Sequence, residues 1–339
     1  MEQTKQRLLT GNKAMAEAIR IEMENDSTVF VLGEDVGQYG GIFGSTEGLF
    51  SKFGPDRIMD TPISETAIIG TAIGAAAEGM RPIAELMFVD FFGVAMDQIY
   101  NHLAKIPYMS GGNVKLPVVL MTAVGGGYND AAQHSQTLYA TFGHIPGLKV
   151  VAPTTPYDLK GMMIAAIRDD NPVLFMFHKT LQGLGWMDQI STSFGPVPEE
   201  AYEVPLNKAQ VIREGDAVTI VSLQMTTHYA LEAAEQLAQE GIEVEIVDLR
   251  SIVPIDKETI LQSVKKTGRI IIAEEDYKSF GIGAEIAAII AEEGLYDIEA
   301  PVKRLAIPDV PIPYSRPMEQ FILPTTSKII EAVKQIVIA

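Results

Sequence analysis

The chain has 339 residues, enough for two domains of ordinary size, and 47% of them are hydrophobic, enough for sizeable cores. Its 26 basic and 44 acidic side chains leave a formal charge of −18, which disfavours nucleic acid and anionic membranes and suits a partner with a basic patch; solubility alone explains such a charge more simply. The absence of cysteine excludes disulfides and thiolate chemistry.

The opening stretch, MEQTKQRLLTGNKAMAEAIR, has no apolar block of the secretory kind, and no apolar run reaches membrane-spanning length, so a cytoplasmic protein is expected. The stretch reads as a polar lead-in to an amphipathic helix over Asn12–Asn25. Apolar strands are predicted at Val29–Gly33, Pro82–Phe88, Val118–Thr122, Lys149–Ala152 and Val173–Phe177. Helices are predicted between them at Ser64–Glu78, Gly93–Tyr108 and Pro156–Arg168. This alternation argues an α/β fold with a parallel sheet covered on both faces. Residues 183–207, rich in Gly, Pro and Ser, read as a connection. A second α/β unit follows, with strands in AVTIVSL, VEIVDL and RIIIAEE and helices at Tyr229–Gln239 and Gly283–Glu292. The tail TTSKIIEAVKQIVIA begins with a capping signal and continues at helical spacing.

One predicted helix is unusual. In DTPISETAIIGTAIGAAAEG, Glu65 leads a run of small and apolar residues with no further charge until Glu78. Gly70 and Gly74 share a face, although each glycine costs about 0.8–1 kcal/mol relative to alanine in a helix. One reading is a tight helix–helix contact with a chance acid at its start, where acids are favoured.

The spacing from Glu65 to Gly70 and Gly74 resembles the glutamate-and-glycine signature of thiamine-diphosphate enzymes. LGEDVG at 32–37, GMRPIAELMFVDF at 79–91, AAQHSQ at 131–136, HIPGLKVVAP at 144–153, AIRDDNPV at 166–173 and VDLRSIVPID at 247–256 extend the resemblance over nearly the whole chain. Together they are similar to the β subunits of the E1 components of 2-oxo-acid dehydrogenase complexes. The resemblance implies a transketolase-like fold: a pyrimidine-binding domain over 1–182, a linker over 183–207 and a smaller α/β C-terminal domain over 208–339. It implies that Glu65 hydrogen-bonds the cofactor's aminopyrimidine, with Met87 and Phe91 around that ring. His134, in AAQHSQ, would face the reacting carbon and the lipoyl entry; histidine suits proton transfer near neutrality.

The same resemblance implies an α subunit in an α2β2 heterotetramer and a lipoyl acyltransferase, E2. Thiamine diphosphate would be shared with the α subunit, and Mg2+ would sit there. This chain has no GDG followed some thirty residues later by Asn, the family's diphosphate-and-metal motif. AIRDDNPV is similar to a stretch that encloses K+ with carbonyls, which would be those of Val118, Ala166, Ile167, Asp169 and Asn171; an ordinary turn after a helix explains it equally.

AELMFVDFFG at 84–93 and HKTL at 178–181 point within the family to acetoin dehydrogenase. Asn129 and Asp130, where an arginine is usual there, and GIGAEI at 281–286 point instead to pyruvate or branched-chain enzymes. A module that only docks E2 would not need Glu65 or His134. An NAD-dependent dehydrogenase would need a glycine fingerprint that is missing.

Overall fold

The computed structural model describes residues 7–185 and 193–337, so part of the expected connection lies outside the described residues. The chain forms two compact units, residues 1–124 with 145–206 and residues 125–144 with 207–339.

In the first unit, strands β1 (Leu8–Thr10), β2 (Val29–Gly33), β3 (Ile58–Asp60), β4 (Arg81–Phe88), β5 (Val119–Val124), β6 (Lys149–Val151), β7 (Val173–His178) and β8 (Phe194–Pro196) alternate with helices α1 (Gly11–Asn25), α2 (Leu49–Phe53), α3 (Glu65–Ala77), α4 (Ile106–Met109) and, after an interruption, α6 (Pro156–Arg168). Strands β6-β7-β5-β4-β2-β3 lie side by side, every neighbour parallel. VFVLG of β2, VLMTAV of β5 and VLFMFH of β7 are buried at every position, the pattern of a sheet covered on both faces. Helix α1 turns Ala14, Met15, Ala18 and Ile19 inward to meet Met162, Met163 and Ile164 of α6. The Met and Ile side chains among them each contribute roughly 1.5–3 kcal/mol when fully buried. The start of α6 is fixed by Thr155, whose hydroxyl accepts from the Asp158 N–H at 3.1 Å, and by Pro156 at the first helical position.

The expected helix over Gly93–Tyr108 is not continuous. The chain forms a 3-10 helix at Val89–Ala95, a π-helix at Gln98–Leu103 and then α4, which begins beside Pro107. Pro107, which has no N–H to donate, stands in the first turn of α4, where a continuous helix would need that donor. Gly147, at φ +105°, passes close to the end of the π-helix: a Cβ there would sit 1.9 Å from the Ala104 carbonyl oxygen.

The described part of the expected connection packs with the first unit. Strand β8 pairs antiparallel with β1. Arg7 donates to the Val197 and Pro198 carbonyls, and the wholly buried Lys160 donates to Pro198 and Glu199. Both cations also hold Glu17, at 2.7 and 2.6 Å.

In the second unit, β9 (Gln210–Arg213), β10 (Val218–Ser222), β11 (Val244–Asp248), β12 (Ser251–Val253), β13 (Ile270–Tyr277) and β14 (Lys303–Ile307) are joined by α5 (Tyr139–Gly143), α7 (Gln224–Ala238), α8 (Lys257–Thr267), α9 (Ile282–Glu293), α10 (Arg316–Ile322) and α11 (Thr326–Val337). The sheet order is β14-β13-β10-β11-β9, parallel except for the edge strand β9. Helix α11 buries Ile329, Ala332, Val333 and Ile336, the stripe its spacing predicts. Among the described residues, no helix is long and apolar enough to cross a membrane.

Candidate functional site

Glu65 is the first residue of α3 and is half-buried. Among the described residues its carboxylate has no hydrogen-bond or ion-pair partner. Its neighbour Thr66 donates to the Val94 carbonyl at 2.7 Å, tying the start of α3 to the 3-10 helix that carries Phe91. Helix α3 also packs against β4, whose end carries Met87. Glu65, Met87 and Phe91 thus belong to three elements fastened to one another in one unit.

Phe91 is oriented by a series of edge-to-face rings. Phe177 meets Phe43 at 5.8 Å, Phe43 meets Phe88 at 5.5 Å, and Phe88 meets Phe91 at 5.5 Å between centroids. Each such pair contributes about 0.5–1.5 kcal/mol beyond burial. The series runs from the core to a half-exposed ring.

Two more acids surround this site. Glu34, just after β2, accepts a backbone hydrogen bond from Ser64, but burial and then the charges of Glu65 and Asp35 raise its pKa. Glu85 of β4 is fully buried, and burial pushes its carboxyl up to about 7; the Ser45 hydroxyl, 3.2 Å away, opposes the shift and Glu34 adds to it. Neither Glu34 nor Glu85 was among the candidates. The sequence signal was an acid interrupting the apolar strand RPIAELMF, where an isolated charge is costly.

The outer faces of Gly70 and Gly74 are open. A Cβ at Gly74 would meet nothing within 4 Å, and one at Gly70 only Gln98, at 3.8 Å. Packing among the described residues does not explain the glycines.

His134 belongs to the second unit, because residues 125–144 pack there despite lying between β5 and β6 in sequence. It is half-buried, and its N–H donates to Ala131 at 3.4 Å. Acids hold the segment around it. Glu275 accepts from the Gly126 N–H at 3.2 Å, Glu319 from Gly127 at 2.9 Å and Asn129 at 3.2 Å, and Asp276 from Ala140 at 3.0 Å. Tyr139, wholly buried, donates to Gln224 at 2.5 Å. These anchors lie far away in sequence and none was a candidate.

Four of the five carbonyls expected around a monovalent cation, those of Val118, Ala166, Ile167 and Asp169, face protein donors. Arg81 donates to Ile167 and Asp169 at 2.9 and 3.1 Å, Asp169 N–H to Ala166 and Val173 N–H to Val118. The Asp169 carboxylate caps Asn171 and pairs with Lys149. A guanidinium already brings positive charge to the end of α6, as a cation at a helix C-terminus does. Among the described residues, no group of three or more His, Asp or Glu side chains is arranged to hold a metal.

The three residues expected around an aminopyrimidine thus lie in one unit, as an uncommitted carboxylate on α3, a thioether near the end of β4 and an oriented ring on the 3-10 helix, donor types that suit such a ring.

The family model for the transketolase pyrimidine-binding domain matches residues 8–183, and that for the transketolase C-terminal domain matches 207–329. Among curated proteins, the chain is 47% identical to the 2-oxoisovalerate dehydrogenase subunit beta of Bacillus subtilis, over 94% of this chain and 95% of the relative. It is 46% identical to the acetoin:2,6-dichlorophenolindophenol oxidoreductase subunit beta of Cupriavidus necator, over 97% of each. It is 44% identical to the pyruvate dehydrogenase E1 component subunit beta of Rickettsia bellii, over 97% and 98%. A solved structure described as a split gene transketolase, inactive beta4 tetramer, superposes with a TM-score of 0.78 at 26% identity, covering 97% of this chain and 98% of that one.

Proposed function

The chain belongs to the β subunits of the E1 components of 2-oxo-acid and acetoin dehydrogenases, and on that premise we propose that, with an α subunit, it cleaves acetoin to acetaldehyde and passes an acetyl unit to lipoamide on E2. The carbon–carbon bond between the carbinol and carbonyl carbons breaks. The carbinol half leaves as acetaldehyde, and the acetyl half forms a thioester as the lipoamide disulfide is reduced.

When bound, thiamine diphosphate supplies the carbanion character that breaking a bond beside a carbonyl requires. Glu65 would hold a proton at the pyrimidine ring nitrogen, a positioned acid/base role that contributes typically about 10²–10⁴-fold. Phe91 would offer a ring face and Met87 a polarisable filler. His134 would move a proton as the acyl unit passes to lipoamide. The diphosphate end would rest on the α subunit with Mg2+, because this chain lacks the matching motif and its charge of −18 would repel several phosphate charges. An α2β2 assembly would bring the open face of α3 to a neighbouring chain.

The single observation that carries the reading is the uncommitted Glu65 carboxylate at the head of a helix whose glycine face is open. The substrate rests on the two stretches that resemble acetoin enzymes. They meet in the fold: Lys179 of HKTL lies 5.7 Å from the ring of Phe88 in ELMF. The 47% identity to a 2-oxoisovalerate dehydrogenase subunit supports branched-chain 2-oxo acids as the second reading. The test is kcat/KM of the reconstituted α/β complex for acetoin, pyruvate and 2-oxoisovalerate. Preference for acetoin supports the proposal, and a far higher value for 2-oxoisovalerate replaces it with the second reading.

A further inference from the structure

We propose that Glu319 is a positioning residue that holds the His134 segment for acyl transfer to lipoamide. This rests on the functional reading above but concerns a residue on α10, 185 positions away in sequence.

Glu319 is only 1% exposed. Its Oε1 accepts from the Gly127 N–H at 2.9 Å, and both oxygens lie within reach of the Asn129 N–H, at 3.4 and 3.2 Å. A carboxylate is acceptor-only and can take several N–H groups together, which a side-chain amide cannot do with both its atoms. The segment needs such a holder. Asn129 and Ala131, neither of them glycine, have φ of +63° and +62°, a left-handed conformation that persists only where surroundings impose it. Gly126 packs under the same helix, where a Cβ would meet Leu323 at 3.1 Å. The turn imposed at 127–131 sets where His134 begins, since its N–H closes back on Ala131. Buried carboxylates that merely stabilise a domain would satisfy donors anywhere. This one spends its acceptors on the strained turn that leads into the candidate proton carrier.

The test uses the assembled α/β complex carrying Glu319→Ala, Glu319→Gln or Glu319→Asp. Amide exchange at Gly127 and Asn129 should quicken by about tenfold or more in Glu319→Ala, while β10 and β13 keep wild-type protection. Acetylation of free lipoamide should fall by about tenfold, while C2-proton exchange of bound thiamine diphosphate stays within about twofold of wild type. Glu319→Gln, with one acceptor left, should fall between. Combined with His134→Ala, Glu319→Ala should add little, because both act through one group. Unchanged amide exchange overturns the proposal. So does fast exchange with normal lipoamide acetylation, equal loss of acetylation and C2 exchange, or full additivity with His134→Ala. Failure of the functional reading shows separately, as a wild-type complex that turns over neither acetoin nor any 2-oxo acid.

Discussion

Glu65 begins a thirteen-residue helix, whereas His134 lies in a stretch with little regular structure that is fastened by acids from β13 and α10. In the first region, the acid and the glycines lie within ten residues of one helix, whose start is tied by Thr66 to the Val94 carbonyl. In the second, long-range hydrogen bonds set it. The two regions use acidity differently as well. Around Glu65, carboxyls crowd one another, and Glu34 and Glu85 are pushed up. Around His134, each acid is spent on backbone N–H groups.

The largest expected effect breaks the comparison at its base. If this chain owns only the pyrimidine half of the site, the purified chain alone should bind thiamine diphosphate weakly and show no turnover. Adding an α subunit and Mg2+ should restore both. Calorimetry on the isolated chain checks this, and tight Mg2+-dependent binding without a partner would contradict it.

The next effect is on stability. Lys160 is wholly buried against Glu17. Burial works to raise the Glu17 pKa, but hydrogen bonds from Arg7 and Lys160 outweigh it and hold the carboxyl at about 2. Lys160→Met leaves the partly buried Glu17 with Arg7 alone and the Glu199 carbonyl without its lysine donor, at a cost of about 1–3 kcal/mol by urea unfolding.

Glu85 gives a pH dependence of the opposite kind. Its carboxyl titrates near 7 in the folded chain against 4.5 ordinarily, so the folded state holds the extra proton between those values. Stability from this group is therefore full below pH 4.5, declines as pH rises through 4.5–7, and is flat above. The decline is on the order of 3 kcal/mol. Glu85→Gln should remove it, so the variant gains on wild type by that amount between pH 4.5 and 7.5 in urea midpoints. Glu274 in the second unit, pushed by burial to about 8, should give the same sign. A variant curve parallel to wild type would show that Glu85 does not titrate in this window.

The smallest effect on the chain itself is at Gly74. A leucine side chain has open space there and is the better helix former, so thermal unfolding of the isolated chain should change by about 1 kcal/mol or less. Assembly with the α subunit should nonetheless weaken in sedimentation. Unchanged assembly would return the glycine pair to chance.

The parts of the fold that were legible are those where burial repeats locally. VFVLG, VLFMFH and the Thr155-capped helix stand at or within a residue of their expected bounds. The segment over Gly93–Tyr108, expected as one helix, is instead 3-10, π and α pieces, and Pro107 within it lacks the N–H that an α-helix interior needs. The same rule divides the candidate site. Glu65 was readable from its own neighbours. The anchors Glu275 and Glu319 were not, because only the folded chain brings them to Gly126 and Gly127. Residues 125–144 carry no sequence mark of belonging with the second unit; their acid partners decide it.

C2-proton exchange of thiamine diphosphate in the assembled complex separates the two regions most directly. On the proposed reading, Glu65 would act on the cofactor proton and His134 on acyl transfer. Glu65→Gln should slow exchange by about 10²–10⁴-fold, and His134→Ala should leave it near the wild-type rate while lipoamide acetylation falls. Exchange at the wild-type rate in Glu65→Gln would contradict the account, whatever happens at His134.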